Sequence, residues 1–174
     1  MRDEAAAPLT RPFSVALALA VLALALRPAA GPARDLLDGE ENPRDTAVLD
    51  DVATTEVIGD VSTALARVFS YAPDDVAAAE QAAGRELSGR ALDEYRRLFV
   101  QVRRQAPAQR VTLTTRVARA GVVSLTGDTA RLLVFLDQTA TRAGAPDGTP
   151  AAAQLMVTAH RARGHWTITA LTSV

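Results

Sequence analysis

The chain contains neither cysteine nor lysine; each of its 19 basic side chains is an arginine. Without a thiol there is no cysteine nucleophile, no disulfide framework and no thiolate zinc site. Without an ε-amine there is no Schiff-base chemistry and no Walker-type phosphate lysine. Aromatic residues make up 4% of a chain that is 48% hydrophobic, so its core is built mainly from aliphatic side chains. A basic excess is missing too. The net charge is −1, and beyond residue 34 there are 15 arginines against 18 acids. That balance argues against nucleic acid as a partner, because phosphate binding needs a basic stripe. The 174 residues suffice for one domain of ordinary size and a short leader.

What the sequence does have is one long apolar run near its start. Phe13 to Leu26 is almost pure leucine, alanine and valine, 14 residues bounded by Arg11 and Arg27. As a helix it would span about 21 Å, short of a hydrocarbon core of roughly 30 Å. That length suits a signal-peptide core, with Arg2 and Arg11 as the basic flank. An anchor needs Pro12 to Ala33 as the span, with Arg27 snorkelling to the interface. Both alternatives imply export. Residues 1–11 then form a short tail, 12–33 the anchor or uncleaved signal, 34–41 a linker and 42–174 the folded domain.

Within that domain the period is first helical. Asn42-Pro43-Arg44-Asp45 has the residues of a helix start. Val48, Leu49 and Val52, then Ile58, Val61, Leu65, Val68 and Phe69, recur at helical spacing. Pro73 predicts a stop near Tyr71. A short second helix is expected from Asp74 to Gly84, and a third from Gly89 to Gln105, closed by Pro107. After Pro107 the pattern alternates. Val111, Leu113 and Val117 open a half-buried strand, with Gly121 as a bend or bulge. Thr126-Gly127-Asp128 turns into a strand that is apolar on both faces from Leu132 to Leu136. "AGAPDGTP" is expected as a loose loop, and Gln154–Ala162 with His165–Thr172 as a final hairpin. Three helices followed by four antiparallel strands predict an α+β fold, helices laid on one face of a curved sheet.

Several stretches resemble the mammalian-cell-entry (Mce) associated membrane proteins of actinobacteria. They are "VFSYAPDD", "RALDEYRRLF", "RARGHWTITAL" and the long "QAPAQRVTLTTRVARAGVVSLTGDTARLLVFLDQTATR". The resemblance runs from about Asn42 to Leu171 as an accumulated pattern. It implies a cone similar to nuclear transport factor 2-like domains, behind a single transmembrane helix with the N-terminus cytoplasmic. It also implies a non-catalytic accessory subunit at the cell membrane, assembling with or stabilising an Mce-type lipid or sterol import complex. Mce subunits or further copies of the chain would be its partners, and a lipid its cavity ligand. Two other functions stay open on this fold. One is a small-molecule isomerase, dehydratase or hydrolase; the other is an assembly subunit of a secretion system.

The residues that would separate these readings are few. Asp137 shares strand parity with Leu133 and Phe135, so if those fill the cone it points into the mouth. There it would serve as a general acid or base with His160 or Tyr71. Alternatively Asp137-Gln138-Thr139 marks the strand leaving the core. Tyr71, Asp74 and Asp75 suit either a polar ligand at the rim or an aromatic cap followed by helix-starting acids. His160 and His165 lack a third ligand of obvious spacing, so no metal and no cofactor are expected. Trp166 is expected in the core, and Arg96-Arg97 and Arg103-Arg104 as solvated charges. On the doubly apolar strand, Leu132, Val134 and Leu136 are the expected interaction surface, needing helices or a partner to cover them.

Overall fold

The computed structural model describes residues 47–143 and 145–174. The apolar leader and the Asn42 helix start lie outside the described residues. Helix α1 spans Ala47–Val68, α2 Val76–Glu86 and α3 Gly89–Gln109. Strands β1 (Val111–Thr126), β2 (Thr129–Arg142), β3 (Ala145–Ala162) and β4 (His165–Ser173) follow. They form one antiparallel sheet in the order β1-β2-β3-β4, with the three helices on a single face.

Val57, Val61, Ala64, Leu65 and Val68 put one fully buried stripe of α1 onto the sheet. The helix touches both edge strands, so it lies diagonally across the sheet. Near its middle Asp60 accepts a hydrogen bond from the Trp166 backbone N–H on β4 (3.3 Å). Past its end Tyr71 and Leu113 exchange backbone hydrogen bonds of 2.9 Å, joining the chain to β1. The Asp75 carboxylate caps α2 by accepting from the Ala78 N–H (3.2 Å). On α3, Tyr95 and Phe99 stack at 4.8 Å and Tyr71 meets Phe99 edge-on at 6.3 Å. These scarce aromatics therefore gather in one seam between α3 and the end of α1.

Two boundaries differ from the sequence expectation. Helix α3 runs through Pro107 to Gln109 instead of ending before it. In a last turn proline costs a single backbone bond, and the stop falls to Arg110, whose left-handed φ of 50° reverses the chain. "APDGTP" is strand, not loop, because β3 starts at Ala145 and pairs back along the far end of β2. Gly148 permits this close pairing; a Cβ there would meet the Thr139 methyl at 2.5 Å. In β1 the register slips between Val117 and Arg119 and again between Val122 and Ser124, bulges on either side of Gly121. The Arg163-Gly164 turn is as expected, both residues at positive φ as a two-residue hairpin loop requires.

Candidate functional site

The helix-facing side of the sheet is filled. Leu132, Val134 and Leu136 are at most 1% exposed, among Leu155, Val157, Trp166 and Ile168. This corrects their assignment as an interaction surface: the helices themselves cover that face. Among the described residues a small polar network sits at its centre, while the buried Trp166 indole N–H has no hydrogen-bond partner. Thr115 donates to the Phe69 carbonyl (2.6 Å) and accepts from the Gln138 side-chain amide (3.0 Å). Ser70 Oγ accepts from the Thr115 N–H (2.9 Å). Beside Tyr71 remains a cavity of only about 10 Å³, the room of a single water, lined by Val102, Ala106 and Val111 among others.

The strand parity is therefore the reverse of the one that placed Asp137 in a cone mouth. Gln138 is buried, and Asp137 is exposed on the outer face, opposite Arg116 on β1 and Ala152 on β3. The physical reason is desolvation: an amide with a hydroxyl partner can be buried, whereas a carboxylate stays in water. His160 pairs with Thr129, eight residues along β2 from Asp137, or about 27 Å of extended strand. Its Nδ1 lies 3.4 Å from the Thr129 hydroxyl. The two groups do not form an acid–base pair. Tyr71 is buried, and burial raises its pKa, the wrong direction for a base near neutrality. Trp166 takes the core place expected of it, 1% exposed.

A charged seam that sequence reasoning missed joins the layers. His165 Nδ1 lies 3.6 Å from Asp60, and its Nε2 3.5 Å from Glu86, a nearly buried carboxylate that also pairs with Arg67 at 3.2 Å. One turn away Glu56 pairs with Arg161 at 3.1 Å. The legible signal was Glu56 and Asp60, one turn apart at the margin of an apolar stripe. With both imidazole nitrogens turned to different carboxylates, the arrangement clamps β4 to α1 and α2. Among the described residues no group of three side chains is placed to hold a metal ion.

Among the described residues no element covers the outer face of the sheet. Phe135 is 41% exposed there, between half-buried Leu133 and Met156, and Val123 is 47% exposed on β1. Arg116 and Arg119 stand opposite Asp137 and Phe135, and Arg131 lies two residues before Leu133. The centre is apolar and its border carries three arginines against one carboxylate.

This geometry has counterparts among solved structures. The periplasmic domain of DotI superposes with a TM-score of 0.56 at 15% identity, covering 78% of this chain and 99% of that one. A periplasmic fragment of TraM gives 0.55 at 13% identity, over 68% and 95%. CagV, a VirB8 homologue of the type IV secretion system of Helicobacter pylori, gives 0.54 at 12% identity, over 74% and 97%. The fold is that of VirB8-like and nuclear transport factor 2-like domains. At such identities the likeness is one of fold alone. In sequence, the chain is 33% identical over 126 residues to the uncharacterized protein Rv1362c of Mycobacterium tuberculosis. That match covers 72% of this chain and 57% of the relative, so the chain spans little more than half the length of the curated relatives it matches. No family model matches. Among the described residues no helix is long and apolar enough to cross a membrane.

Proposed function

We propose that the chain is a membrane-tethered, non-catalytic subunit of an envelope-spanning protein complex, with its folded domain outside the cytoplasm. Residues 12–33 are the tether, 34–41 the linker, and the outer sheet face the docking surface. The observation that carries this reading is the distribution of apolar area: a filled helix side and a bare outer face around Phe135. The occupant is another protein subunit, apolar at its centre and edged by carboxylates that answer Arg116, Arg119 and Arg131. The neighbours DotI, TraM and CagV support an assembly role of the secretion type. The resemblance in "VFSYAPDD" and "RARGHWTITAL" supports an Mce-type complex as the alternative host. The two readings differ in the partner, not in the mechanism.

The test is a photo-cross-linking side chain at Phe135 in the full chain, in native membranes, with Arg96 on exposed α3 as control. A discrete partner cross-linked from Phe135 and not from Arg96 is the expected result, and its identity separates secretion-type from Mce-type assembly. If Phe135→Arg leaves the size of the native complex unchanged, the sheet face is not the docking surface.

A further inference from the structure

At the end of the sheet where α1 stops, a cleft of about 590 Å³ opens between the helix layer and the strands. Pro73, Asp74, Pro107, Arg110, Thr112 and Arg142 are among the residues that line it. Its volume is that of an ordinary small-molecule site. Two arginines, Arg110 and Arg142, line it, and the backbone brings their segments together. Arg142 is the cross-strand partner of Val111, and the Arg110 carbonyl accepts a hydrogen bond from the Ala143 N–H (3.4 Å). Neither guanidinium has a carboxylate within 4 Å among the described residues, although Arg67, Arg90, Arg103 and Arg161 all do. Arg142 is half-buried, and its shielded Nε finds no acceptor among the described residues. A half-buried cation with a shielded, unpartnered Nε, sharing a cleft with the exposed Arg110, is an arrangement that an anion relieves. Among the described residues no arginine of the outer face has a shielded nitrogen without a partner.

We propose that this cleft binds a soluble phosphate monoester bearing hydroxyl groups. Two guanidinium groups lining one cleft supply donors to a phosphate from more than one direction, whereas a planar carboxylate occupies one fork. Asp74 is the one acid in the cleft. It disfavours a bare polyanion but accepts from a hydroxyl next to the phosphate. The headgroups of a tethering bilayer are not the source. Helix α1 is about 33 Å long and its first residues are the end nearer the tether, while the cleft lies beyond its last. The exclusion of the bilayer rests on the proposed N-terminal tether, whereas the cleft itself does not depend on the docking face.

The test is calorimetric titration of the full chain in an uncharged detergent, at fixed ionic strength. The probes are glycerol phosphate, inorganic phosphate and glycerol, with phosphatidylglycerol vesicles as a separate arm. Saturable binding is expected, tighter for glycerol phosphate than for inorganic phosphate and absent for glycerol. Arg142→Gln and Arg110→Gln should each weaken it at least about tenfold. Asp74→Asn should abolish the preference for the ester, and Arg119→Gln on the outer face should change nothing. Trp166 fluorescence checks folding, and Arg110→Gln decides the matter if Arg142→Gln fails to fold. Binding insensitive to both arginines, no saturation below about 10 mM, or binding to the vesicles alone would each overturn the proposal.

Discussion

Thr115→Val is the most informative single change in the domain. Valine keeps the shape and the β-branch of threonine, so packing and strand propensity are nearly conserved. What it removes is a 3% exposed hydroxyl that both donates to the Phe69 carbonyl and accepts from the Gln138 amide. Two buried groups then lack a partner, at about 1–3 kcal/mol each, so the expected loss is about 3 kcal/mol. For a domain of this size that lowers Tm by roughly 10 °C. Gln138→Leu alone leaves Thr115 bonded to Phe69 and should cost only about 1 kcal/mol. With Thr115→Val already present, Gln138→Leu removes the orphaned amide, so the pair should be more stable than the Thr115→Val single variant. Urea unfolding of the full chain, followed by the emission of its sole tryptophan, measures all four corners of the cycle. Losses that simply add, or a Thr115→Val cost below about 0.5 kcal/mol, would refute the claim that this network fastens α1 to β1.

Two further outcomes follow from buried groups. Burial raises the pKa of Tyr71 and of Tyr95, the latter also raised by the Glu80 carboxylate and by Tyr71. A raised folded pKa means stability complete below the unfolded value near 10 and lost as pH climbs past it, by about 1.4 kcal/mol per pH unit for each tyrosine. Tyr95→Phe should halve that alkaline slope in pH-dependent denaturation, and an unchanged slope would show that Tyr95 ionises freely. Gly148→Ala places a methyl against Thr139 and Thr141, and the β2–β3 hairpin has to shift; a loss of about 1–2 kcal/mol is expected. An unchanged Tm for that variant would mean the close strand pairing is slack.

Much of the fold was legible because its signals were local. Val61, Leu65 and Val68 mark one helix face, although Val57 is the buried residue where the spacing pointed to Ile58, and Arg163-Gly164 lies between two alternating runs. The face of β2 was not legible. Five consecutive apolar residues, Leu132 to Leu136, carry no alternation, so parity rested on which polar neighbour entered the core. Choosing Asp137 over Gln138 set the wrong face, and with it both the supposed catalytic mouth and the interaction surface. The partner that decides it, Thr115, is 23 residues away. The clamp around His165 was hidden likewise, since its acids come from α1 and α2 and become its neighbours only when the layers close.

These long-range contacts bear on the proposed role because of where they sit on α1. Glu56 and Asp60 tie its middle to β3 and β4, while Phe69 and Tyr71 tie the following residues to β1. The helix is thus bound to both edges of the sheet whose outer face carries Phe135. Its first turns, where Val52 is 67% exposed, run beyond those ties toward the tether. In the proposed role, a force between tether and docking face would pass along α1 into the sheet through polar, directional contacts, and not through apolar packing alone. Such contacts fix relative orientation, which burial of interchangeable aliphatic side chains does not. A subunit that must hold its outer face at a set angle to a membrane needs the fastening and can fill the interior.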